Sequence, residues 1–458
     1  MEFLISILSS PLLLLASILG LVTLYITTLI IYRLTFHPLA KYPGPKLAAI
    51  TDIYLTYYAY RGNRHLAFHL AHEKYGSHVR IGPNTLSINT APALKSIYGF
   101  RANVRKADFY TAFPANKHTY NVHSSIDKAQ HARKRRVMSH AFSDAAIKSL
   151  ERWILANVRT GCRLLAEKGV AAEGGEKGWR EAWNAADWCN CKAQAMERTK
   201  MGLDVDRKDF FYHLLNAKDP ETGNGFSMDE LWGESNLLII AGSDTTSTSM
   251  AATFFYLAHN TSTLQKLCHE IRTTFSDVEE IVSGPKLSGC AYLRACIDES
   301  MRMTPPVAGA LPRQVLPGGI DIDGHHIPAG VDVGVPHYAI HHNADYFPRP
   351  FDFVPERWLS DPTANPLHDK LTEAHAAFCP FSIGPRGCIG KGLAYVELTV
   401  TIARVLYLFD LRLAPGSTLG AGSKDLEVGR TRATEYQIED RFASMKDGPM
   451  LQFRPKTA

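Results

Sequence analysis

The stretch Phe381-Ser382-Ile383-Gly384-Pro385-Arg386-Gly387-Cys388-Ile389-Gly390 constrains this chain more than any other feature. Five residue types stand in the spacing F-x-x-G-x-R-x-C-x-G, directly before an apolar, helix-like run at 390–409. At about 5% usage per residue type, a chance match in a chain of this length is on the order of one in ten thousand. The spacing has a chemical reading. It puts Cys388 at the threshold of a helix, where free backbone N–H groups and the positive dipole end favour a thiolate. Taken alone, Cys388 would be an ordinary buried thiol in a Gly-rich turn, as Cys379 is.

The amino terminus sets a second boundary. From Leu4 to Tyr32 there is no Asp, Glu, Lys, Arg or His. As a helix, those residues would reach about 44 Å, against a hydrocarbon core of about 30 Å. Residues 1–32 are therefore expected to be a transmembrane anchor. A cleaved signal peptide fits less well, because Glu2 replaces a basic start and the apolar run is too long. Arg33, His37, Lys41 and Lys46 follow the span and keep the rest of the chain cytosolic by the positive-inside rule. Tyr42-Pro43-Gly44-Pro45 closes a linker at 33–45.

Residues 46–458 show no second linker and no repeat. Helical patterns dominate at 65–75, 127–168, 228–258, 261–275, 290–303 and 390–409. Short β-like pieces with Gly/Pro turns lie between 311 and 336. The expected fold is mainly α with a minor β component. With 50 Lys+Arg against 45 Asp+Glu, the charge excess is too small for a dedicated nucleic-acid binder. Eight cysteines are too few for a disulfide scaffold. Cys189-x-Cys191 has no partner pair at zinc spacing and reads as ordinary thiols. No H-E-x-x-H, Walker loop or G-x-S-x-G is present.

Four more segments stand in order with the cysteine loop: His131-Ala-Arg-Lys-Arg135-Arg136, Ala241-Gly-Ser-Asp244-Thr245-Thr246, Glu299-Ser-Met-Arg302 and Pro355-Glu-Arg357-Trp358. Together the five resemble the cytochrome P450 family of haem-thiolate monooxygenases, microsomal in type. The wording from His131 to Ser139-His-Ala-Phe142 is similar to fungal members.

The resemblance implies a P450 fold around haem b. Cys388 would be the axial ligand of the iron. Phe381 would shield the sulfur, and Gly384 and Gly390 would let the backbone pass close to the macrocycle. Arg386, Arg135, His131 and Arg313 would hold the propionates, with His131 standing where the family commonly has tryptophan. Asp244 and Thr245 would relay protons to dioxygen. Glu299, Arg302 and Arg357 would form a buried structural brace. Phe113, Tyr120, Ala241, Val307 and Leu311 are candidates for the substrate pocket. Electrons would come from NADPH through a reductase, with cytochrome b5 a further candidate donor. A basic strip of Lys128, Arg133, Lys134 and Arg136 is either a solvated face or a docking face for that reductase.

The expected reaction inserts one oxygen atom into a lipophilic small molecule of fungal secondary metabolism, at the endoplasmic reticulum membrane. Phenol coupling, desaturation or isomerisation is the alternative within the same chemistry. One departure matters: residues 193–228 stand where the family carries two long roof helices over the substrate. The junction near Gln194–Arg198 reads as an internal deletion, a splice form or an error in the gene prediction. Weak substrate enclosure is therefore expected, and a haem-binding membrane protein without catalysis is the second alternative.

Overall fold

The computed structural model describes residues 11–113, 119–167, 179–188 and 210–456. Cys189, Cys191 and the Gln194–Arg198 junction lie outside them. An exposed apolar helix runs from Pro11 to Ile31 and continues as one π turn, Tyr32–Phe36. The combined 26 residues are long and apolar enough to cross a membrane. The segment after it is packed against the domain. Arg33 Nη1 donates to Ile50 O at 2.5 Å, and Arg80 Nη1 donates to Arg33 O at 2.6 Å.

Local sequence explains where the main helices start. Ser227 and Glu230 form a capping box for the long helix Met228–His259. The Asp127 side chain caps the basic helix Lys128–Ser139 through Gln130 N at 2.6 Å. The single helical run expected over 127–168 is broken. A 3-10 turn, His140–Phe142, ends the basic helix, and a second helix, Asp144–Glu167, starts after it. Ser143 is the reason, since its hydroxyl accepts Ala146 N.

The brace helix Ala291–Met303, the post-cysteine helix Lys391–Leu408 and the helix Thr261–Thr274 pack with the second half of the long helix into the main core. Ser247 to Ala258 are all buried, whereas every residue from Asn236 to Thr246 is partly or fully exposed.

The β-like pieces at 311–336 supply two strands, Arg313–Val315 and Asp332–Gly334, and a hairpin, Ile320–Ile322 with His325–Ile327. Those two strands sit inside a five-stranded sheet. Its order is His78–Gly82, Thr85–Ile88, Asp332–Gly334, Arg313–Val315, Val104–Lys106. The carboxyl-terminal part adds strands Phe409–Leu413 and Met450–Pro455, and a tight hairpin of Ile438–Arg441 with Ala443–Lys446. The sheet carries Lys106 and Arg313 on neighbouring strands, where they are register partners.

Candidate functional site

The cysteine loop is closed by its own backbone. Cys388 N donates to Phe381 O at 2.8 Å, and the Phe381 ring lies 5.1 Å from the Tyr395 ring on the post-cysteine helix. Cys388 keeps an open sulfur although protein surrounds it densely. That surrounding pushes the thiol pKa up. The N–H groups of Gly390 and Lys391 and the charge of Arg135 pull it down. A cation bound at the sulfur would decide the balance for the thiolate.

The two glycines owe their place to different causes. Gly384 has φ +70, and a Cβ there would stand 2.0 Å from Tyr98 O. A neighbouring turn of protein therefore requires glycine here by itself. At Gly390 a Cβ would meet only ordinary contacts, Phe142 at 3.6 Å and the cysteine sulfur at 3.9 Å.

Arg135, Arg313 and Arg386 converge as expected, together with His131. Arg135 Nη1 donates to Gly387 O at 2.7 Å, tying the basic helix to the cysteine loop. Arg386 donates to Ser125 O and Ile126 O at 2.6 and 3.1 Å. Buried Arg313 donates to Leu311 O, Pro312 O and the Tyr110 hydroxyl. Two groups not singled out by sequence join them, Lys106 and His123. The Lys106 ammonium donates to His123 O and sits 4.2 Å from the Tyr110 ring centroid.

These groups repel one another. Burial, Arg313 and Arg386 hold Lys106 well below the usual lysine range. Burial and Arg313 bring Arg386 down to about 10. Burial, and then Arg386, lowers His131 to about 3, and burial and Lys106 do the same to His123. Both imidazoles are therefore neutral donors. Among the described residues, none of Lys106, Arg135, Arg313 and Arg386 forms an ion pair with a carboxylate. A cationic cluster with little internal compensation needs an anion. A haem with two propionates beside an iron-seeking thiolate meets that need, so the residues fit the group. Bound there, haem supplies dioxygen binding and activation at the iron.

Above the loop, the Thr245 hydroxyl donates to Ala241 O at 2.6 Å. Ser247 and Thr248 donate to Asp244 O at 3.1 and 2.7 Å. This back-bonding loosens the helix where the polar residues interrupt it. Glu397 of the post-cysteine helix, also absent from the sequence reading, accepts from Thr246. Burial raises its pKa to about 7.

Glu299, Arg302 and Arg357 are brought together below. Arg302 reaches Glu299 at 2.9 and 3.0 Å, and Arg357 Nε reaches it at 3.0 Å. Trp358 Nε1 completes the carboxylate's shell at 3.0 Å. Of the pocket candidates, Phe113, Val307 and Leu311 are half-buried, whereas Tyr120 and Ala241 are exposed. Ile240, next to Ala241, is 57% exposed and Trp232 is 55% exposed.

The basic strip is corrected. Lys134 is fully buried and pairs with Glu230 and Glu234 at 2.9 and 3.2 Å. Arg133 pairs with Glu230, and Arg136 pairs with Asp219 and Glu221. Only Lys128 keeps the character of a solvated face. The opposite charges come from residues 219–234, far away in sequence.

A family model described as Cytochrome P450 matches residues 175–425. Similar curated proteins are fungal. Cytochrome P450 monooxygenase AKT7 of Alternaria alternata is 37% identical, over 94% of this chain and 95% of the relative. Cytochrome P450 monooxygenase atnE of Emericella nidulans is 36% identical, over 96% of each. Cytochrome P450 monooxygenase poxM of Penicillium oxalicum is 36% identical, over 94% and 93%. The first alignment runs over 505 positions, more than the 458 residues of this chain, so that relative carries residues this chain lacks.

Proposed function

The chain belongs to the cytochrome P450 family, and from that premise we propose that it inserts one atom of dioxygen into a lipophilic small molecule of fungal secondary metabolism. The family's cofactor is haem b, and its electrons come from NADPH through a reductase. The observation that carries the reading is Cys388, with two backbone N–H groups turned to its sulfur, beside a cationic cluster without paired carboxylates. In this reading Cys388 holds the iron. Arg135, Arg313, Arg386 and His131 hold the propionates, joined by Lys106 and His123. Asp244 and Thr245 pass protons toward the dioxygen side, and the brace keeps the cysteine loop in register.

The apolar helix Pro11–Phe36 anchors the protein in the endoplasmic reticulum with the rest of the chain on the cytosolic side. The reductase is the electron donor, and cytochrome b5 can act as a second one. The deciding experiment is the absorption spectrum of the reduced carbon-monoxide complex. A strongly red-shifted Soret band in the wild type that is lost in Cys388→Ser supports thiolate ligation. An unshifted wild-type band overturns it.

The residues that a fungal relative carries and this chain lacks favour a second reading, a haem-thiolate protein that consumes NADPH without oxidising substrate. An open site admits water and uncouples oxygen use from product. Peroxide formed in full proportion to NADPH consumed, with every lipophilic compound tried, would favour it.

A further inference from the structure

One carbonyl of the long helix is crowded. Asp244 O accepts the Thr248 hydroxyl at 2.7 Å, the Ser247 hydroxyl at 3.1 Å and the Lys446 ammonium at 3.4 Å. A carbonyl has two lone pairs, and in a helix one is already sought by the N–H four residues on. Side-chain donors therefore compete at the residue that carries the acid of the proton relay. Ser247 and Thr248 belong to the helix itself. Lys446 comes from 202 residues away, on the strand Ala443–Lys446.

The strand delivers Lys446 to that place by its own alternation. Ser444 and Lys446 share one face of it and turn to the helix, whereas Met445 between them is 59% exposed. Ser444 O accepts Thr248 Oγ1 at 3.2 Å, and Ser444 N donates to Pro306 O at 2.8 Å. The paired strand is held by Arg64, which reaches Asp440 at 2.7 and 3.1 Å. From this fixed base the ammonium makes its shorter bond, 2.5 Å, to Ser247 Oγ. An ammonium only donates, so Ser247 Oγ accepts from it and its own hydrogen goes to Asp244 O. The three groups form a directed chain, and the bonds of such a chain polarise and strengthen one another.

We propose that Lys446 is a positioning residue of the proton relay. Acting through Ser247, it latches the turn that carries Asp244 and so fixes where that acid stands beside Thr245. The proposal rests on the P450 monooxygenase reading and gives this part to a residue outside the long helix. Without the ammonium the turn keeps the neutral Thr248–Ser444 bond to the hairpin and loses the charged one. Losing a hydrogen bond from a charged donor lets a turn open about tenfold more often. A reacting group displaced by such an opening costs up to about a hundredfold in rate.

The test uses the full-length, haem-loaded protein and Lys446→Met, which keeps an apolar stem and removes the ammonium. Amide hydrogen exchange over residues 241–250 reads the turn directly. It should quicken about tenfold in the variant, while the brace helix Ala291–Met303 exchanges as in the wild type. NADPH use at saturating reductase should fall about tenfold or more. The reductase concentration giving half-maximal use and the carbon-monoxide spectrum should not move. Lys446→Arg restores a charged donor and should return both exchange and NADPH use to the wild-type values. Should Lys446→Met fail to load haem, Ser247→Ala, which breaks the chain at its middle, carries the same expectation. Wild-type exchange in Lys446→Met overturns the latch and leaves the family reading standing, and so does a faster turn that NADPH use does not follow. A wild type without a red-shifted carbon-monoxide band overturns the family reading and the positioning role with it.

Discussion

Arg302 and Glu299 face each other through two hydrogen bonds, 2.9 and 3.0 Å long, at a place fully closed to water. The remaining N–H groups of Arg302 go to His341 O, Pro350 O and Asp352 O. Arg302 therefore holds the brace helix to the segment leading to Pro355–Trp358. Removing either partner strands a buried charge, at a cost of about 3–5 kcal/mol. Arg302→Ala and Glu299→Ala should both lower the urea midpoint by that amount, or yield no haem-loaded protein. A loss under about 1 kcal/mol would mean that the pair is dispensable.

A second prediction concerns acid. Burial lowers His65 to about 3 and His69, His72 and His337 to about 4, so all four are neutral in the folded protein. Unfolded, they take a proton near 6.5. Their contribution to stability is thus present above pH 6.5 and lost as pH falls toward 4, about 1.4 kcal/mol per pH unit for each histidine. Glu397, raised to about 7, works in the opposite direction. Its contribution is present below the ordinary carboxylate range and lost as pH rises through 7. Urea midpoints measured at pH 7.5, 6.5 and 5.5 should fall steeply between the last two. His69→Gln should flatten the fall, and equal midpoints would contradict this account.

The sequence made some of these features readable and hid others, for physical reasons. The brace could be read because Glu299 and Arg302 share one helix turn and Arg357 lies in a recognisable segment. The long helix could be read from its apolar run. Lys106 and His123 could not, since a strand and a loop bring them to Arg313 only through the sheet register. Lys446 carries no local signal, because a strand 202 residues away brings it to Asp244. The basic strip misled because a run of Arg and Lys says nothing of acids folded against it from residues 219–234.

That correction is itself testable. Lys134 neutralises Glu230 and Glu234, and Glu234 in turn accepts Val122 N at 2.9 Å, fixing the loop before the basic helix. Burial otherwise raises the Glu234 carboxyl. Lys134→Met should destabilise by about 3–5 kcal/mol through the stranded carboxylates. The reductase concentration giving half-maximal NADPH use should stay the same in the protein that folds. A large rise in that concentration with unchanged stability would restore the docking role.

The last prediction concerns the proton path. Thr245 spends its hydroxyl hydrogen on Ala241 O, 2.6 Å away, so in this arrangement it can accept a hydrogen bond but does not donate to the dioxygen side. Delivering a proton requires the hydroxyl to turn away from Ala241, a rotation that the loosened helix around Asp244 and Ser247 allows. Thr245→Ser keeps the rotor and should keep most of the coupling between NADPH and product. Thr245→Ala removes it, and Asp244→Asn removes the acid that recharges it. Positioned proton transfer contributes about 10²–10⁴-fold. Both variants should lose product formation on at least the lower part of that scale and release more peroxide, with the spectrum of the carbon-monoxide complex unchanged. If Asp244→Asn retained full coupling while Thr245→Ala lost it, the proton would enter by another group. Glu397, bonded to the neighbouring Thr246, would be the next to substitute.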